Sequence, residues 1–214
     1  MLKKIICLVF AAILMTPSGI SAKESQSNDT TSNIVLDFGY YVIDTHKNSE
    51  EYSVREEYKG NDHIFTLTNK STNEEEKFID RLPEVQTHGQ YVSRTNVHQY
   101  KIGYGTFECA IGLNLYVDGM SFVQINSYNK GVISSLDSFA SVQPGSASIT
   151  ITPATKLPTT KLSVSAYCVS EVDVNISSQV GISVADLINM GYTKSSNVYY
   201  RKSKVENYDI RVPY

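Results

Sequence analysis

Apolar residues at Ile34, Leu36, Phe38, Tyr40 and Val42 recur at every second position, the period of a strand with one buried face. The first strand is expected there. Tyr52 and Val54 alternate with Ser53 and Arg55, Lys59-Gly60-Asn61-Asp62 supplies turn chemistry, and His63 to Thr68 is rich in β-branched and aromatic residues, which together read as a hairpin. Asn69 to Asn73 makes a further polar turn. Glu74 to Leu82 fits either a third strand or a short helix ahead of Pro83.

A second β-rich stretch begins near Tyr91. Tyr100, Ile102 and Tyr104 face one way, but beyond Gly103 and Gly105 the apolar set moves to Phe107, Cys109, Ile111, Leu113, Leu115 and Val117. A bulge or bend at the two glycines would slip the phase by one residue. Asp118-Gly119, set between Leu113 to Val117 and Met120 to Ile125, predicts a tight hairpin. Asn129-Lys130-Gly131 and Gln143-Pro144-Gly145 mark turns around Val132-Ile133 and the short run Ser148 to Thr152. Leu162, Val164, Ala166 and Cys168 then alternate, with the pattern continuing through Val172, Val174 and Ile176.

One segment reads as helix: Ser183 offers an N-cap, Asp186 stands three residues on, Leu187 and Ile188 give an apolar face, and Gly191 suits the position just past the end. The tail predicts a terminal hairpin, with Asn197 to Tyr200 and Val205 to Val212 joined by a polar turn at Arg201-Lys202-Ser203-Lys204. The whole pattern is mainly β: an antiparallel β-sandwich with one short helix and a C-terminal hairpin.

The first residues change where this fold is expected to work. Lys3 and Lys4 precede an apolar run from Ile5 to Met15, broken by Pro17 and Gly19, and Ile20-Ser21-Ala22 offers a cleavage site, so residues 1–22 read as a signal peptide. Residues 23–33 form a polar lead-in with too few apolar side chains to order themselves. One β-rich domain then covers 34–214, or two lobes at 34–90 and 91–214. The expected location is secreted or extracytoplasmic, with no transmembrane segment in the mature chain.

The leader takes two of nineteen Lys and Arg and no acid, leaving seventeen bases against twenty-two acids, a net charge of −5. A chain of that balance is not built to coat nucleic acid. Cys7 leaves with the leader, so Cys109 and Cys168, both on the apolar side of their strands, are expected to pair as a disulfide in an oxidising compartment. Cys7 opens the apolar run rather than following it, which does not suit a lipid anchor.

Candidate chemistry is sparse. His46, His63, His88 and His98 show no metal-ligand spacing, the acidic runs Glu50-Glu51, Glu56-Glu57 and Glu74-Glu75-Glu76 are interleaved with lysines, and no nucleophile-elbow, phosphate-loop or calcium-loop motif occurs. Neither a metal nor a cofactor is expected. Leu157-Pro158-Thr159-Thr160 lacks the glycine that a cell-wall sorting signal requires, and Asn28, Asn69 and Asn175 fit the glycan acceptor pattern.

Fifteen tyrosines and no tryptophan favour interaction surfaces, and Tyr40, Tyr41, Tyr199 and Tyr200 are the candidate ligand surface. Lys194, Arg201, Lys202 and Lys204 form a basic patch able to meet an anionic surface. The expected function is a non-enzymatic binding or interaction module with an extracellular partner. Two other classes stay open: a β-type membrane-acting or pore-forming protein built on Ser121 to Ser165, and a hydrolase using His88 or His98.

Overall fold

The computed structural model describes residues 32–82, 90–118 and 122–212. Residues 1–22, read from the sequence as a signal peptide, most of the polar lead-in, His88 and Gly119 lie outside the described residues. The described residues open with β1 (Asn33–Asp37) and β2 (Val42–Asn48). Six consecutive strands follow: β3 (Tyr52–Lys59), β4 (Asp62–Asn69), β5 (Glu75–Arg81), β6 (Tyr91–Ile102), β7 (Gly105–Asp118) and β8 (Phe122–Ser135). The described residues close with β9 (Ala140–Val142), β10 (Ser148–Pro153), β11 (Lys161–Asp173), helices α1 (Val174–Gln179) and α2 (Val184–Asn189), β12 (Thr193–Lys194) and β13 (Tyr199–Arg211).

These strands make a mainly β, antiparallel two-sheet sandwich. One sheet runs β1-β2-β13-β11-β10, with β9 and β12 as short additions; the other is the meander β3 to β8. The last strand is inserted between β2 and β11, so Ile210 pairs with Ile43 on one side and Leu162 on the other. The two inner faces bury Leu36, Ile43, Tyr208 and Ile210 against Leu67, Phe78, Ile111 and Leu115, while a second cluster gathers Tyr100, Phe107, Cys109, Cys168, Leu187 and Tyr192. A small third cluster, Ile64, Ile79 and Val97, lies on the outer side of the meander, beneath an Arg81–Glu108 ion pair that links β5 to β7 across β6.

Several elements differ from the sequence expectation. The alternation from Ile34 to Val42 is not one strand: Gly39 takes φ 85° with its N–H donated to the Asp37 side chain at 2.8 Å, so the chain reverses there. At Gly103, φ 59°, the bend alternative holds and the bulge does not: the chain makes a tight turn across which Ile102 pairs with Gly105. Glu74 to Leu82 resolves as strand β5. Asp118 pairs with Phe122, as a hairpin through Gly119 requires.

Among the described residues two short helices are present rather than one. Ser183 and Asp186 form the capping box of α2, but β11 stops at Asp173, whose side chain accepts from the Asn175 N–H at 2.7 Å and starts α1 where a continuing strand was expected. The C-terminal hairpin is formed by β12 and β13. Its turn therefore precedes Tyr199, and Arg201 to Lys204, expected as the turn, run inside β13 paired with Glu171 to Cys168.

Candidate functional site

Alternation along β13 puts Glu206, Tyr208 and Ile210 on the inner face, and along β6 it does the same for His98, Tyr100 and Ile102. Two ionisable groups thus enter the space between the sheets. Glu76 of β5 and Lys47 of β2 join them. His98 is 1% exposed, stacks on Phe78 with ring centroids 4.1 Å apart, and faces Glu76 through Nε2 at 3.0 Å. A carboxylate only accepts, so Nε2 carries the proton, and the buried Nδ1 lacks a hydrogen-bond partner.

Lys47 Nζ sits 2.7 Å from Glu76 and 3.6 Å from Glu206, and Lys204 Nζ is 2.6 Å from the other Glu206 oxygen. Two buried carboxylates are balanced by two ammonium groups. Burial pushes the Glu76 carboxyl up, but the hydrogen bond and charge of His98, together with Lys47, outweigh it and bring the group down to about 2. The cluster borders a cleft of about 150 Å³ to which Lys47, Glu75, Glu76, Lys101, Lys204 and Glu206 contribute. That volume corresponds to roughly five waters.

Glu76, His98 and Glu206 place ligating atoms within 4.8 Å of one another, as do Asp44, His46 and Asp209. Carboxylates with imidazole suit divalent cations in general. In the first group, however, Lys47 already bridges the carboxylates and the facing histidine nitrogen carries its proton. In the second, Asp209 takes His46, Lys161 and Arg211 at 3.1, 2.8 and 3.3 Å, and Arg211 also reaches Asp44 at 2.8 Å. Burial raises Asp209, but bonds from Lys161, Ser163, His46 and Arg211 hold it well below the usual carboxylate range. Both groups are completed ion-pair networks.

The four candidate tyrosines are not brought together. Tyr41 is fully buried and donates to Asp80 at 3.0 Å, while Tyr40 is half-buried under the Arg94 guanidinium at 4.8 Å. Tyr199 is exposed and Tyr200 buried, about ten residues along β13 from where that strand meets β2. Of the basic residues, Arg201 pairs with Glu171 at 2.6 Å, Lys202 donates to the Met190 carbonyl, Lys204 reaches Glu206, and Lys194 is exposed on β12.

Cys109 and Cys168 are free thiols, not the expected disulfide. Both do face the same buried cluster, but Cys168 Sγ lies 3.8 Å from the Tyr100 hydroxyl, its contact in place of the second sulfur. Burial pushes the Cys109 thiol up to about 12 and raises Cys168 as well.

Sequence reasoning passed over the inter-sheet cluster, although one signal was available. A charged residue two positions from Tyr208 on the alternating face, and a histidine two positions from Tyr100, both mark polar groups aimed inward. Glu76 carried no such signal while its element was unassigned. A scan against family models finds no match, and neither curated proteins nor solved structures show a significant similarity to the chain.

Proposed function

We propose that this protein is a secreted, non-enzymatic binding module that takes a small polar ligand at the cleft between its sheets. The observation that carries this reading is the cleft itself, where Lys47, Lys101 and Lys204 alternate with Glu75, Glu76 and Glu206. Outside the Glu76–Lys47–Glu206–Lys204 ion pairs, Glu75 and Lys101 are exposed at the rim with opposite signs and complement a zwitterion, whose ammonium and carboxylate each find an opposite group. The scale of the cleft suits an amino acid or dipeptide and not a folded partner. Export is supported by the order of basic, apolar and small residues in Met1 to Ala22.

A binding role is favoured over catalysis by the state of the reactive groups. A thiol held near 12 is a poor nucleophile, and the three described histidines each spend Nε2 on a carboxylate: His46 on Asp209, His63 on Glu56 and His98 on Glu76. The test is isothermal titration of the chain starting at Lys23 with free lysine, free glutamate and a Lys-Glu dipeptide. Saturable binding that weakens at least tenfold in Lys101→Met is the expected result. Lack of heat with all three probes overturns the cleft as a zwitterion site.

A further inference from the structure

The most exposed aromatic ring among the described residues is Tyr58, at 72%, in the β3–β4 hairpin. It is exposed yet held. Tyr58 is the cross-strand partner of His63, and their rings stack with centroids 4.2 Å apart at an interplanar angle of 13°. The Tyr58 hydroxyl donates to Glu56 Oε1 at 3.2 Å, and the same oxygen takes His63 Nε2 at 2.7 Å. Behind His63, Phe38 packs edge-on at 5.0 Å and Phe65 at 4.8 Å, which ties the stack to the core. One ring face is therefore fixed against the protein while the other is turned to solvent.

A lone flat ring with an anchored orientation is matched by the C–H face of a sugar, whose polarised hydrogens meet the negative ring face while its hydroxyls reach nearby acceptors. A quaternary ammonium is better served by several rings around one cation. Glu56 and Asp37, the acidic groups that act on the Tyr58 hydroxyl, repel an anionic ligand, so the sugar should be uncharged. We propose that the outer face of Tyr58 is a stacking platform for a neutral hexopyranose unit of an extracellular polysaccharide. This surface lies at the opposite end of β3 from Tyr52 and the cleft, so it goes beyond the cleft reading and does not depend on it.

The sequence offered a route to this residue, since Tyr58 and His63 flank the turn Lys59 to Asp62 at matching distances, and a hairpin through that turn pairs them. The test is native affinity electrophoresis of the chain starting at Lys23 through gels containing hydroxyethylcellulose, galactomannan or anionic carboxymethylcellulose. Retardation by at least one neutral polymer is expected, with mobility in Tyr58→Ala returning to that in a polymer-free gel. Tyr58→Trp should keep the retardation, and Tyr104→Ala, which removes an exposed ring at the β6–β7 turn, should leave it untouched. The melting temperature of Tyr58→Trp, which can keep the stack on His63, should match the wild type, while Tyr58→Ala, which loses that stack and the bond to Glu56, should melt a few degrees lower but still cooperatively. The proposal is overturned if no neutral polymer retards the protein, if Tyr58→Ala is retarded as strongly as wild type, or if carboxymethylcellulose retards it most.

Discussion

Glu76 shows what it takes to keep a charged side chain inside a sandwich. Its carboxylate is 8% exposed and survives there because His98 holds one oxygen and Lys47 the other. A carboxyl lowered in the fold adds stability that is fully present above its unfolded value and is lost as pH falls through the folded one. For Glu76 that window runs from about 4.5 down to about 2, and a shift of this size is worth on the order of 3 kcal/mol at neutral pH. In Glu76→Gln the expected result is reduced stability at pH 7 with a shallower loss on acidification. Urea melts of wild type and variant should therefore converge as pH drops from 5 to about 2. A gap that stays constant over that range would assign the acid sensitivity to other groups, with Asp209 and its four donors the first to examine.

Among the elements, strands with one apolar face were readable wherever the alternation was long, as in β7, whose inward set Phe107, Cys109, Ile111, Leu113 and Leu115 follows the sequence period directly. The capping box of α2 was equally legible, because Ser183 and Asp186 act within a single turn. Reversals hidden inside a regular pattern were not. Gly39 sits in an unbroken apolar alternation, and only its positive φ and the Asp37 contact turn it into a corner. The inter-sheet site was illegible as a unit because β2, β5, β6 and β13 meet only once the last strand inserts beside β2. At Gly131 the local rule can be tested: β8 carries an extra residue between its partners for Cys109 and Ile111, and a Cβ on Gly131 would run into the Ala110 carbonyl. Gly131→Ala should cost about 1–3 kcal/mol in urea unfolding. Gly112→Ala, whose Cβ would meet Asn129 at an ordinary 3.5 Å, should be close to neutral, and equal stability of the two variants would mean that the bulge does not press on β7 as described.

At the scale of the whole molecule, the Ser/Thr-rich segment that the sequence offers for membrane insertion is distributed between the two sheets. From Ser121 to Ser165 the chain contributes β8 to the meander and β9, β10 and the start of β11 to the other sheet. Ile125 and Thr159 then join the two sheets by paired backbone hydrogen bonds of 2.7 and 3.0 Å, with Thr159 buried at 3% exposure. Releasing this segment as a membrane hairpin would break β8 from β7, β10 and β9 from β11, and the first five pairs of the β11–β13 ladder, Lys161 to Ser165. Pro144, Pro153 and Pro158 would also leave rungs of a lipid-facing strand without a donor. The expected outcome is that liposomes containing phosphatidylglycerol retain their dye in the presence of the chain starting at Lys23. An Ile125→Cys/Thr159→Cys variant, oxidised to clamp the two sheets, provides the decisive comparison. Leakage by wild type that disappears in the clamped protein and returns on reduction would establish membrane action by this segment; retention of dye in every case keeps the sandwich closed as a binding scaffold.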